Sequence, residues 1–241
     1  MSQVRWSRLP GLVVVPALAA LAVAGCSNGG SSSHTAQAAD DNAANASTTS
    51  TYTAAQLRNA LIGKINGEAP AAPVESGAYG SLAEVKATKN SMKGVKVTPS
   101  KCAQSAVTGF NSPAFAGVPA SVSTFRVGNN GISEVLLSPS SSTAAQALAK
   151  QVPDGCSTYK ATVDGKTFTY TVKEQTVQNV AKAARAMNIK ASGSQSIDVW
   201  SVVYKADNFV GAVTIVGPNA SQAVATALAN QAYTHAAKSL H

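Results

Sequence analysis

Three short turn signals, each set between two β-prone runs, constrain this chain more than any other feature. Asn130-Gly131 separates SVSTFRV (121–127) from ISEVLLS (132–138). Asp164-Gly165 separates STYKATV (157–163) from KTFTYTV (166–172), and Asp207-Asn208 separates SIDVWSVVYK (196–205) from FVGAVTIV (209–216). Asn-Gly and Asp-Gly accept the positive φ that a two-residue hairpin turn demands. Phe168, Tyr170 and Val172 alternate with threonines, the period of a strand buried on one face. The runs read as three β-hairpins. Trp200 and Tyr204 are four apart in one strand and share a face. A core role is expected for both, with Val199 and Val203 on the opposite side.

A helical pattern follows each hairpin. Residues 143–152 are rich in Ala and Leu and stop at Pro153. Residues 176–188 place Val177, Val180, Ala181 and Ala184 at helical spacing. Residues 219–240 follow Pro218, with Asn219 or Ser221 as N-cap, and run through Val224, Leu228, Ala232 and Ala236. An earlier helix is expected over 53–62. The fold class is therefore α+β: an antiparallel sheet of about six strands, with helices packed on it and a long C-terminal helix. Alanine fills 45 of the 241 positions. Smooth helices of this kind lie close to a sheet but bury little area each, so a covalent staple gains value.

The N-terminus reads as an address. Arg5 and Arg8 precede the uncharged run Leu12–Ala24, too short to cross a bilayer, which takes about 20 residues. That order of charge, short apolar run and small residues is an export signal. It ends Val23-Ala24-Gly25-Cys26, which resembles a bacterial lipobox, in which the cysteine is acylated and becomes the new N-terminus. The expected organisation is a signal peptide over 1–25, a lipidated tether over 26–52 and one domain over 53–241. The tether from Ser27 to Tyr52 has no Val, Ile, Leu, Met, Phe or Trp, so it cannot offset its ordering entropy. Cys26 is thus the expected membrane partner, and the protein is expected at the cell membrane or envelope, facing outside the cytoplasm.

With Cys26 acylated, Cys102 and Cys156 remain. Two cysteines outside the cytoplasm are expected to form one disulfide, and the close Cys-x-x-Cys spacing of a redox pair is absent. Catalytic signatures are missing too. The three histidines are His34, His235 and His241, and there is no Gly-x-Ser-x-Gly elbow, P-loop or dinucleotide fingerprint. No ligand cluster suggests a metal, so neither metal nor cofactor is expected and the chain reads as a non-enzyme.

The unusual surface feature is basic. Lys86, Lys89, Lys93, Lys96 and Lys101 fall within 16 residues, with one acid, Glu84, just before them. A helix over 82–93 would place the first three on one face. They read either as a solvated face or as a contact for anionic lipid head groups or envelope polymers. Nucleic acid is not an expected partner, because the chain is exported and no aromatic or arginine readout accompanies the lysines.

The lipobox, the tether, the hairpin-and-helix rhythm and the ending NFVGAVTIVGPNASQAVATALANQA together resemble mycobacterial lipoproteins. The domain is distantly similar to the extracytoplasmic sensor domain of PknH-type serine/threonine kinases. That resemblance implies a late strand running into a long Ala-rich helix, and a cleft for an unknown ligand. It also implies a domain held by two disulfides, whereas this chain supplies cysteines for one. Two functions follow as expectations: a tethered, non-catalytic ligand-binding or sensor-like domain, or a lipid carrier with an apolar cavity.

Overall fold

The computed structural model describes residues 51–106, 110, 112–149, 151–192 and 196–240. The expected signal, the expected acylation site Cys26, the expected tether up to residue 50, His34 and His241 lie outside the described residues.

All three expected hairpins form. They are β3 (Pro119–Val127) with β4 (Asn130–Leu137), β5 (Thr158–Val163) with β6 (Lys166–Val177), and β8 (Ile197–Lys205) with β9 (Val210–Val216). Asp164 and Gly165 both take positive φ, at 47° and 75°, the signature of a tight hairpin turn. In the first hairpin the turn lies two residues earlier than expected. Gly128, at φ 58°, and Asn129 make it, while Asn130 and Gly131 already pair with Val127 and Arg126.

Three further strands complete a fully antiparallel nine-stranded sheet: β1 (Glu75–Ala78), β2 (Lys96–Thr98) and β7 (Ala183–Ser192). Its order is β1-β3-β4-β9-β8-β7-β6-β5-β2, so nine strands replace the expected six. Strands β1 and β2 are too short to show a period. Strand β7 overturns the helix expected over 176–188. Its Ala184 and Ala186 pack on one side of the sheet, and Met187, Ile189 and Ala191 on the other. A strand buried on both faces loses its alternation, and its alanines then read as helical.

On one face of the sheet lie α1 (Ala54–Asn59) and α4 (Gln222–Ser239). Thr53 and Gln56 close a capping box on α1, and the Ser221 hydroxyl accepts from the Val224 N–H to cap α4. Ala225, Ala229, Ala232 and Ala236 form the buried stripe of α4 and let it settle on Val202, Tyr204, Val213 and Ile215. The opposite face is covered by α2 (Ala83–Met92), α3 (Ser141–Ala147) and short 3-10 turns. Trp200 and Tyr204 pack on the α4 side, and Val199 and Val203 on the other. Helix α3 stops before the expected limit of 152. Arg185 donates to the Ala147 carbonyl at 3.1 Å, and Glu174 accepts from the N–H groups of Gln151 and Val152. Those groups therefore leave the helical ladder for partners on β6 and β7.

Cys102 and Cys156 are joined, with Sγ–Sγ 2.04 Å and Cα–Cα 5.3 Å, and both are fully buried. The bond ties the 3-10 turn after β2 to the segment entering β5, reinforcing the edge of the sheet. No described helix is long and apolar enough to cross a membrane.

Candidate functional site

Burying one stripe of α4 exposes the opposite one. Asn230, Gln231, Thr234, His235 and Lys238 recur at helical spacing on that exposed side. With Ile62, from the segment after α1, they line a groove of about 410 Å³. That volume falls within the range of small-molecule sites, about 300–1,000 Å³. Its chemistry is two amides, a hydroxyl, an imidazole and an ammonium, with no carboxylate in the lining. Such a set donates hydrogen bonds and carries positive charge.

The groove wall is fixed from behind. The Ile62 N–H donates to Glu134 Oε2 at 2.9 Å, and Glu134 is fully buried in β4. Burial lifts its carboxyl to about 7, against the lowering effect of that hydrogen bond. Its other oxygen, Oε1, has no hydrogen-bond partner among the described residues, and neither do Ser123 Oγ and Tyr204 Oη. Ser123 stands directly opposite Glu134 across β3 and β4. Tyr204 is pushed well above its ordinary value, by burial first and by the Glu134 charge second. A polar patch thus sits inside the apolar layer beneath α1. No sequence period announces it, because Glu134 occupies an inward position in an otherwise ordinary strand.

A smaller cleft of about 180 Å³ lies at the β8–β9 turn, between Tyr52, Phe209 and Tyr233. Lys182 and Asp207 form an ion pair across it, both largely exposed. Phe209 and Tyr233 stack there at 6.4 Å.

The five lysines do not form one stripe. Lys86 and Lys89 lie on the exposed side of α2 and Lys93 at its C-cap. Lys96 belongs to edge strand β2, and Val97 beside it packs into the core behind the sheet. Alternation therefore turns Lys96 to the opposite face from α2. Lys101 sits in the next 3-10 turn, beside Gly155. A carboxylate pair that sequence separation hid is Glu75 with Glu84. Glu75 accepts from the Glu84 N–H in the first turn of α2, and burial together with Glu75 lifts Glu84 to about 7. Accepting from the first turn of a helix is a capping role. His235 lines the groove on α4, and among the described residues no group of three or more His, Cys, Asp or Glu could hold a metal ion.

No known protein family matches the chain, and no curated protein matches it. Solved structures similar to it include two mycobacterial proteins. One is the extracellular domain of PknH from Mycobacterium tuberculosis, at 16% identity and TM-score 0.49, covering 78% of this chain and 95% of that one. The other is an uncharacterised Mycobacterium smegmatis protein, the Rv0999 ortholog, at 17% identity and TM-score 0.42, covering 60% and 77%. The chain thus bears a distant resemblance to that extracellular domain.

Proposed function

We propose that this chain is an envelope lipoprotein, held outside the cytoplasm through Cys26, whose domain binds a small anionic ligand in the α4 groove without chemical turnover. The observation that carries the reading is the groove lining: Asn230, Gln231, Thr234, His235 and Lys238, with no acid among them. Amides and a hydroxyl suit a ligand rich in hydrogen-bonding groups, and Lys238 suits its negative charge. A hydrolase would need His235 oriented by a carboxylate, and the lining offers none. A lipid carrier would need an enclosed apolar cavity. Both clefts described here carry charged or amide side chains.

Two measurements test the reading. The groove is tested by titrating a sugar phosphate, glucose 6-phosphate, against the protein while following its backbone amide resonances. Shifts centred on 227–238 and on Ile62, lost in Lys238→Glu, are expected. Unmoved α4 signals, or an acyl lipid co-purifying from the native envelope, would sink it. The anchor is tested by Cys26→Ala, which should abolish detergent-phase partitioning. A variant that still partitions defeats the lipobox reading.

A further inference from the structure

Helices α1 and α4 cover only part of their side of the sheet. Helix α4 packs chiefly on β8 and β9 and touches β7 lightly. Beyond it, no described helix covers the same side of β6, β5, β2 and the far end of β7, past buried Asn188, and strand register fixes what stands there.

Directly paired residues share a face, so the open side can be read row by row. The row nearest the β5–β6 turn is Lys96, Thr162 and Thr167, with the two threonine hydroxyls 2.9 Å apart. Next come Thr98, Lys160, Thr169 and Ser192. The third row is Thr158, Thr171, Lys190 and Asp198. The fourth is Lys173, Asn188 and Trp200, where half-buried Trp200 borders the helix-covered region. The residues between these rows, among them Val97, Ala161, Phe168, Tyr170 and Ile189, point into the core behind the sheet.

Two properties separate this face from an ordinary solvated one. The first is its sign. Lys96, Lys160, Lys173 and Lys190 stand on it against one carboxylate among the described residues, Asp198. That carboxylate is already engaged by Lys190 at 3.3 Å and by Asn188 Nδ2 at 2.6 Å. Soluble surfaces usually intersperse the two signs. The second is its texture: hydroxyls alternate with ammonium groups, and the one large apolar side chain on it, Trp200, is half-buried at the margin beside the helix-covered region. The one exposed large hydrophobic residue among the described ones is Val224, on α4. Surfaces that seat on bilayers combine basic residues with apolar side chains that enter the acyl boundary, and this face lacks the second component.

We infer that the open face of β2, β5, β6 and β7 docks an anionic glycan, a polyhydroxylated chain bearing carboxylate or phosphate groups. The lysines meet its charges, the threonine and serine hydroxyls exchange hydrogen bonds with its own, and a sheet several strands wide offers a long, shallow track. This surface lies on different elements from the α4 groove and does not depend on it. It also divides the five lysines of the basic segment. Lys96 takes part, while Lys86, Lys89 and Lys93 lie over the other side of the sheet.

That division supplies the test. The full chain in detergent solution is titrated with polygalacturonate, with dextran as the neutral control. Lys96→Gln/Lys160→Gln/Lys173→Gln is compared with Lys86→Gln/Lys89→Gln/Lys93→Gln, which removes the same net charge. All six lysines are exposed, so both triples should keep the wild-type melting temperature, which is checked first. At roughly five-fold per lysine, the sheet-face triple is expected to weaken binding by about 100-fold, and the α2 triple by less than about three-fold. Binding should fade as salt rises. Equal losses in the two triples would show a response to net charge alone and overturn the proposal. Equal binding of dextran, or no binding of polygalacturonate, would overturn it as well. Short-chain phosphatidylglycerol micelles that displace the polygalacturonate at equal charge would assign the face to a membrane surface and overturn the glycan assignment.

Discussion

The ring of Tyr204 lies against the backbone of Gly211, its cross-strand partner in the β8–β9 pair: a Cβ placed on Gly211 would stand 2.3 Å from Tyr204 Cζ. Tyr204 is fully buried and also meets Phe209 and Tyr233 edge-on, at 6.4 and 6.1 Å. The ring is therefore held from both sides and cannot swing clear of a new methyl group. Gly211→Ala is expected to destabilise the domain by about 2–3 kcal/mol, as overpacking a filled core does. Thermal melts check it, and an unchanged midpoint would mean that Tyr204 has room to move.

The Glu134 carboxyl makes the domain sensitive to pH. Its value rises from 4.5 to about 7 on folding, so the folded protein keeps a proton that the unfolded chain releases. The contribution is most favourable below 4.5 and is lost as pH climbs through 7, for a total of about 3 kcal/mol. Glu134→Gln keeps an acceptor for the Ile62 N–H and cannot ionise. The variant should be more stable than wild type at pH 8 and close to it at pH 4.5, in urea melts at the two pH values. A wild-type minus variant difference that does not change with pH would refute this.

The hairpins were legible because positive-φ positions and strand periodicity leave local marks, as at Asp164-Gly165. The β6–β7 connection left no such mark. Its left-handed positions are Asn179 at φ 63° and Ala181 at φ 51°, with no glycine to announce a turn. An alanine there is held by its surroundings rather than by its own preference. Without the turn, and with β7 buried on both faces, the segment imitated a helix. The candidate site divides in the same way. The cysteine pair and the α2 lysines could be read from residue type and spacing. The α4 groove, the buried Glu134 and the open threonine–lysine face exist only once register places distant strands side by side.

The Cys102–Cys156 bond closes a segment with a sequence separation of 54, at an edge held by the three residues of β2. The chain-entropy account gives it about 4 kcal/mol. At this size each kcal/mol moves the melting point by about 2–4 °C, so reduction should lower it by about 10 °C. Loss of protection against hydrogen exchange should begin in β2 and β5. Peptide mapping without reductant should recover the two cysteines joined, and finding free thiols in exported protein would contradict the pairing.

The last prediction concerns where the domain begins. Tyr52, expected at the end of the tether, is instead fastened to the folded part. Its hydroxyl donates to the Leu240 carbonyl at 2.6 Å, and its N–H donates to Ser138 Oγ at 2.9 Å. Leu240 is the C-cap of α4, where carbonyls lack helical partners, so the tyrosine satisfies a group the helix itself cannot. The Ser138 hydroxyl donates on to the Asn208 carbonyl at 3.3 Å, which links the entry of the chain to the β8–β9 turn. Tyr52→Phe removes one hydrogen-bonding group and almost no volume. It should cost about 1 kcal/mol, the usual net value of such a bond. The loss should be local: amide exchange should quicken about five-fold in the final turn of α4, while the amides of β8 and β9 keep their protection. Uniform acceleration across the domain would show that Tyr52 supports the core as a whole, and no acceleration would show that the Leu240 carbonyl finds water equally well.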